Sequence, residues 1–266
     1  MIRLIQIQWI KLWAYKPFWV IGILYSVLVV GAFGSAMPII DYVLSEAPEI
    51  GGIKVSFIPI YYFPDIWQNV TYAAGFLNFL PAFLLILMVC NEFSYKTMRQ
   101  NIIDGMSRVE VVKSNVALAF IISLVFTTLI GALTLILGFI YSKSGVNPFE
   151  GADMLIGFFL QLFTLLMLAM LASVLIKRAG ITIVLLFLYR GIEAIGLGVL
   201  TYYDLDLIAD LLPFNAIANV ISAPFQRYIF MEIQNYLSFK EVGIVLAQAG
   251  LYIWLIYLML RKRNLV

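Results

Sequence analysis

Long apolar runs dominate this chain, and each run is bounded by polar or charged residues. A helix needs about 20 apolar residues to cross roughly 30 Å of hydrocarbon, because every backbone amide must find its partner within the segment. The runs that meet this requirement without a charged residue are Phe18–Met37, Tyr72–Cys90, Val116–Tyr141, Met154–Ile176 and Val242–Leu260. The pattern therefore predicts an all-α integral membrane protein, folded as one transmembrane domain over residues 1–266.

A sixth run, Gly180–Tyr203, is apolar except for Arg190 and Glu193 near its centre. A charge at that depth is costly and normally faces a partner, a cavity or water. The two residues are three positions apart on one helix face, so we expect an intramembrane polar pair. Two interpretations stay open: a polar element of a translocation path or of a seam between two copies, and a structural pair that neutralises itself.

Three segments outside these runs have their own patterns. Residues 1–17 carry apolar side chains at helical spacing and end at Pro17, which predicts an interfacial helix that bends into the first span rather than extending it. Residues 38–71 are rich in proline and aromatic residues, as in a long loop or a small ordered cap. Residues 204–241 hold two short apolar stripes broken at Pro213, which predicts a re-entrant or interfacial helical hairpin with Asn215 as a helix cap.

The distribution of lysine and arginine predicts the orientation. Twelve of these residues fall in one set of connecting segments and four in the opposite set, which also holds eleven acidic residues. Positive charge is retained on the cytoplasmic side, so we expect six transmembrane helices with both ends inside, in a bacterial cytoplasmic (inner) membrane. Without the Gly180–Tyr203 span, the basic 261–263 end would lie outside. The first apolar run is too long for a cleaved signal and is treated as a retained span.

Composition excludes several classes of function. Hydrophobic residues make up 63% of the chain and charged residues 12%, with a mean hydropathy of +1.00, which fits no soluble globular protein. The net charge of +2 gives no field that would favour nucleic acid. The chain has no histidine and one cysteine, Cys90, so we expect no His-based catalysis, no Cys/His metal site and no intramolecular disulfide. We expect no catalytic residue and no metal ligand in this chain.

Residues 91–113 connect the second and third apolar runs and hold most of the local motif information. They have the pattern of a short polar helix, a stop at Gly105 and a new start, where Ser107 and Glu110 have the spacing of a capping box. This predicts a surface helix ahead of the third span. Its charged side chains, among them Glu92, Lys96 and Arg99, would face solvent or a soluble partner.

This arrangement resembles the type-2 ABC transporter permease family. Those subunits have an N-terminal interfacial helix, six spans with both ends inside, a cytoplasmic coupling helix between spans two and three, and an outer helical hairpin between spans five and six. The family's coupling segment has a Glu, a Gly-Thr pair, a basic residue, and later Ser-Arg and a Lys. Matching positions here are Glu92, Thr97, Arg99, Ser107, Arg108 and Lys113. Lys96 stands where the family usually has Gly, and Met106 where it often has Pro.

The resemblance implies the membrane-spanning permease subunit of an ABC exporter for a lipid-like, peptide or amphipathic substrate. It implies pairing with a second copy or a homologous permease, contact with membrane lipids, and docking on an ABC ATPase (nucleotide-binding) subunit. The implied ATPase-coupling residues are Glu92, Lys96, Thr97, Arg99, Ser107 and Arg108. ATP and Mg are expected in that partner, because this chain has no Gly-x-x-x-x-Gly-Lys-[Ser/Thr] phosphate loop.

Two other functions compete with this one. An ATP-independent secondary transporter or channel usually has polar residues in several spans, broken helices at the midplane and an internal repeat. The charge-free apolar runs weigh against it. An integral membrane enzyme acting on lipids would need an acid, a base or a nucleophile clustered at one depth, and only Arg190 and Glu193 lie within a span.

Overall fold

The computed structural model describes residues 2–46, 60–142, 145–224 and 236–262, and within these ranges it contains helices and no strands. Five helices are long and apolar enough to cross a membrane, or six if one bent pair counts as a single span. The helices in chain order are α1 (Ile2–Ala14), α2 (Lys16–Glu46), α3 (Ile66–Gly75), α4 (Phe79–Ser94), α5 (Thr97–Ile103), α6 (Arg108–Tyr141), α7 (Met154–Ile176), α8 (Ala179–Tyr202), α9 (Asp206–Asp210), α10 (Pro213–Asn219) and α11 (Phe239–Lys262). The all-helical, multi-pass prediction is confirmed.

Helix α7 forms the centre of the bundle. It packs against α3, α4, α6, α8, α10 and α11. Its buried side chains point in all directions around the axis, as expected for a helix that is apolar all round. Helices α4, α6, α8 and α11 therefore share α7 as a common core, whereas α2 packs against α1 and α4.

The second apolar run is broken, which the sequence pattern did not predict. Helices α3 and α4 meet at an angle of 47° across residues 76–78. Pro81 lies in the first turn of α4, where it has no N–H to offer the carbonyl of Leu77 and its ring would clash with that carbonyl in a continuous helix. The chain turns more tightly there, and the Leu80 N–H donates to Leu77 O at 3.0 Å. The prediction of one continuous helix over Tyr72–Cys90 was therefore wrong, because the helix is broken at residues 76–78.

The predicted long outer loop is shorter than residues 38–71. Helix α2 continues past Met37 to Glu46, and α3 already begins at Ile66. Between them the Tyr61 hydroxyl donates to Phe33 O at 2.7 Å, and the Phe63 N–H donates to Ser142 Oγ at 2.9 Å. Residues 60–65 are thus tied onto the bundle. Residues 47–59 of this prediction lie outside the described part, as do residues 225–235 of the predicted hairpin.

The connection between α5 and α6 confirms the predicted stop and capping box. Gly105 has φ of +100°, and the Met106 N–H donates to Asn101 O at 3.0 Å, which closes α5 with a glycine-based cap. The Ser107 side chain accepts from the Glu110 N–H, and the Glu110 carboxylate accepts from the Ser107 N–H. The predicted short helix ahead of the third span is α5, and after the cap at Ser107 the chain continues without interruption as α6.

Basic residues from distant segments meet at one end of the bundle, which we call the basic end. Lys11 of α1 lies 3.3 Å from Glu92 of α4. Arg108, at the start of α6, donates to the carbonyl oxygens of Leu260 and Arg261 at the end of α11. Helix α1 also packs along α6, where buried Gln8 donates to Ser114 Oγ at 2.6 Å. The junctions α1–α2, α4–α6, α7–α8 and the α11 terminus therefore share one side.

Gly138 tests the attachment of residues 60–65. A Cβ at this position would lie 2.2 Å from the ring of buried Phe63. We expect Gly138→Ala to destabilise the protein by about 1–3 kcal/mol, because the ring and its neighbours must shift. The measurement is thermal unfolding of the detergent-solubilised chain. Gly22→Ala is the control, since no atom lies near its Cβ position. Equal melting temperatures for Gly138→Ala and the wild type would contradict this packing.

Candidate functional site

The first candidate site is the turn formed by the end of α4, α5 and the start of α6, which we call the elbow (residues 92–108). Buried Met98 fixes α5 to the bundle, whereas Tyr95 is 76% exposed and Ile103 is 62% exposed. Lys96 and Arg99 are exposed as well. The elbow therefore presents a small mixed surface of basic, aromatic and aliphatic side chains at the basic end.

The predicted coupling residues at the start of the elbow fall into two groups. Glu92 is largely buried and pairs with Lys11, and its carbonyl oxygen lies 3.4 Å from the Thr97 hydroxyl, which donates to it. The contacts of these two residues stabilise the elbow: one joins it to α1, and the other joins α4 to α5. Lys96 instead adopts a left-handed conformation with φ of +57°, and Arg99 projects outward. Of the charged residues in this part of the motif, Lys96 and Arg99 are therefore on the exposed surface and Glu92 is not.

The last two predicted coupling residues stabilise helix ends. Ser107 caps the N-terminus of α6. Arg108 donates to carbonyl oxygens at the C-terminus of α11, which would otherwise have no partner within that helix. The Arg108 contacts join the start of α6 to the end of α11 next to the elbow.

The second candidate site surrounds Arg190 and Glu193 in α8, and within the described chain no ion pair joins them. Glu193 is buried, and its Oε1 accepts the Asn215 N–H of α10 at 2.7 Å. The Arg190 guanidinium lies over the ring of Phe214, 5.3 Å from its centroid. Both residues of the predicted pair therefore contact α10, which lies more than 20 positions later in the sequence than Arg190.

Asn215 does not cap a helix as predicted. Helix α10 already begins at Pro213, whose fixed φ and missing N–H suit the first position of a helix. The Asn215 side chain donates instead to Ala209 O of α9 at 2.8 Å. It therefore ties the two short helices together and leaves its backbone N–H for Glu193.

Side chains from three other helices also bind the backbone of this hairpin. Gln68 donates to Ser222 O at 3.0 Å, Gln161 donates to Ala218 O at 3.3 Å, and Gln248 donates to Leu211 O at 3.0 Å. None of these glutamines was among the predicted site residues. For Gln161 and Gln248 the available signal was an amide in an otherwise apolar run, whereas Gln68 lies in the predicted outer loop.

The hairpin lies deep in the bundle. Glu193 is near the middle of α8, about 14 Å along the axis from the Tyr202 end at 1.5 Å per residue. Gly157 of α7 provides the space, because a Cβ there would lie 2.6 Å from Leu237 Cδ2 and 3.2 Å from Ile221 Cγ1. The segment between α8 and α11 thus reaches the centre of its neighbours instead of covering their ends.

A cavity of about 370 Å³ lies where the hairpin meets the broken span. Its walls come from the α3–α4 break, α7, α8 and α10, and they are mainly apolar and aromatic. Three polar side chains line it: Asn78, Gln161 and Arg190. The Asn78 Oδ1 and Gln161 Oε1 atoms are buried and have no hydrogen-bond partner in the described part of the chain. This combination of apolar walls and a few polar groups is typical of a small-molecule site.

Comparison of the sequence with protein-family models finds no matching family, and comparison with curated proteins finds no match. Among the described residues, no group of three or more Cys, Asp or Glu side chains is placed to hold a metal ion.

Glu193 offers a test of the hairpin anchor. Glu193→Leu removes the acceptor of a buried backbone N–H, so we expect a loss of about 1–3 kcal/mol in stability. Glu193→Gln keeps a carbonyl oxygen at Oε1 and should retain most of that stability. Thermal unfolding of both variants in the same detergent measures the difference. The anchor would be refuted if the leucine variant were as stable as the glutamine variant.

Proposed function

We propose that this chain is the membrane-spanning permease subunit of an ABC transporter, an exporter whose ATP hydrolysis takes place in a separate subunit. The observation that carries the proposal is the elbow: a short helix held by Met98 between two apolar helices, with Arg99 and Ile103 exposed. Its position matches the coupling helix of the type-2 permease family that the motif resembles. A soluble ATPase subunit is the partner that such a surface fits.

The conformation of Lys96 supports the resemblance. Lys96 stands where the family usually has Gly, and it has φ of +57°. A left-handed conformation costs a residue with a side chain about 1–2 kcal/mol, whereas glycine adopts it freely. The family's glycine preference is therefore understandable from the backbone geometry at this position.

The proposed orientation places the basic end in the cytoplasm of a bacterial inner membrane. Lys11, Arg108 and Lys177 lie at that end with the elbow, in agreement with the retention of positive charge inside. In this orientation the elbow faces the compartment that contains ATP. The α9–α10 hairpin then enters from the outer side, and α1 lies at the cytoplasmic interface with Trp9 and Trp13 exposed to headgroups.

Motion of the elbow would reach the rest of the chain through α4 and α6. Helix α4 extends from the elbow back to the α3–α4 break at its N-terminal end. Helix α6 begins at its capping box and crosses the bundle without interruption. Helix α8 is largely exposed, with Thr182 and Glu193 as its buried residues. We propose this face for a second copy or a homologous permease, with membrane lipids covering what remains.

An ATP-independent secondary transporter or channel is the second candidate. The broken span and the deep hairpin favour it, because discontinuous helices beside a cavity are common at the substrate sites of such proteins. The two candidates differ in their need for a partner. Transport by the chain alone in proteoliposomes without ATP would favour the second.

Arg99 tests the ATPase partner. We expect Arg99→Glu to abolish co-purification with a co-expressed ABC ATPase subunit, because it reverses an exposed charge in the centre of the elbow. Arg178→Glu is the control, since Arg178 is equally basic and exposed but lies at the start of α8. Glu92 is a poor choice because it is paired with Lys11. Retention of the ATPase by Arg99→Glu, or the absence of any ATPase partner, would contradict the proposal.

Lys96 tests the elbow geometry. We expect Lys96→Gly to stabilise the chain by about 0.4–1 kcal/mol, because glycine relieves the left-handed backbone, and to keep the ATPase bound. Lys113→Gly, within α6, should have the opposite effect on thermal unfolding. A loss of stability in Lys96→Gly would show that this residue is held by its side chain and not by its backbone.

A further inference from the structure

Arg190 lies at the centre of α8 and forms no ion pair in the described part of the chain. In the described chain, Arg190 contacts the Phe214 ring and makes no hydrogen bond or ion pair, and the nearby Glu193 is bonded to Asn215. A guanidinium has five N–H donors and stays charged at all relevant pH values. A charge at mid-span depth is costly and normally faces a partner, a cavity or water. The Glu193 carboxylate interacts with Arg190 electrostatically but forms no ion pair with it in the described chain, so the guanidinium N–H groups remain available as donors.

The same guanidinium lines the cavity between the broken span and the hairpin. Phe79 and Phe83 lie 6.1 and 5.7 Å from the ring of Phe187, so three aromatic side chains form one continuous wall. Phe76 is 69% exposed and Phe187 is 52% exposed. Because these residues line the cavity and also face outward, its mouth opens sideways from the bundle toward the bilayer. A ligand dissolved in the membrane has direct access.

We propose that this cavity binds a single-chain amphiphile with an anionic head. The apolar chain would lie against Phe79, Phe83 and Phe187, and the head would bind Arg190. A carboxylate and a phosphate monoester share the required chemistry, since each accepts two parallel hydrogen bonds from a guanidinium. The buried oxygens of Asn78 and Gln161 lack donors, and a hydroxyl or N–H next to the head would provide one.

The size of the cavity suits a small ligand. A volume of about 370 Å³ lies within the range of small-molecule sites, roughly 300–1,000 Å³, and accommodates one medium-length chain. A neutral amphiphile would leave Arg190 unpaired. The inference goes beyond the proposed ATPase coupling and does not depend on it, because binding is measured on this chain alone.

The test uses the purified full chain in phosphatidylcholine nanodiscs and three probes with a twelve-carbon chain: dodecanoate, lauroyl lysophosphatidate and dodecanol. We expect at least one anionic probe to bind about tenfold or more tightly than dodecanol. Preference for dodecanoate assigns a fatty acid, and preference for lysophosphatidate assigns a lysophospholipid. Equal affinities for all three probes would overturn the proposal.

Arg190→Gln should reduce the affinity for the anionic probes to that for dodecanol. Arg178→Gln is the matched control, because Arg178 is an exposed arginine at the start of the same helix. Ala218→Phe, which fills the cavity without changing Arg190, should weaken all three probes and keeps the test valid if Arg190→Gln fails to fold. Unchanged binding in Ala218→Phe would overturn the proposal.

A diazirine derivative of dodecanoate locates the site in the wild-type chain. We expect photolabelling of the cavity wall, in residues 76–86 or 186–190, and competition by the tighter-binding anionic probe. Labelling confined to other surfaces, such as α2, would overturn the proposal. Loss of ATPase co-purification with intact probe binding would instead refute only the ABC function.

Discussion

A backbone N–H or C=O group inside a bilayer has no water to bind, so it must find a partner within the protein. Continuous helices meet this requirement by themselves, and most of this chain uses that solution. The segment between α8 and α11 does not, because α9 and α10 are too short and are separated by a turn. Backbone groups of this segment form hydrogen bonds with the side chains of Gln68, Gln161, Glu193 and Gln248 instead. The deep hairpin depends on these four side chains.

The hairpin accounts for much of the remaining architecture. Gly157 allows it close to α7, and Glu193 anchors it through Oε1, while its Oε2 has no hydrogen-bond partner in the described chain. Arg190 lies beside Phe214 and the cavity and forms no ion pair with Glu193 within the described residues. The α3–α4 break lies on the other side of that cavity. From the sequence, Arg190 and Glu193 could be a polar element of a translocation path or of a seam, or a self-neutralising pair. In the structure each residue instead makes its own contact with α10.

The elbow is built by a different principle. Its outer residues are exposed, and its stability comes from Met98, the Glu92–Lys11 pair and the helix caps at Gly105 and Ser107. Helix α4 runs from the elbow to the α3–α4 break, whose residues line the cavity. Coupling at one end and ligand binding within the bundle are compatible functions of the same helices, since the α3–α4 break is an available hinge between them.

The sequence by itself determined the features that depend on composition and on local chemistry. Apolar runs of sufficient length predict long helices, and the predicted stop at Gly105 and capping box at Ser107 are confirmed because caps involve residues only a few positions apart. Tertiary structure decided which polar groups meet. The partner of Glu193 lies at Asn215, and that of Arg108 at the end of α11. The break at Phe76–Asn78 and the cavity also depend on packing between distant segments, which hydrophobic periodicity does not encode.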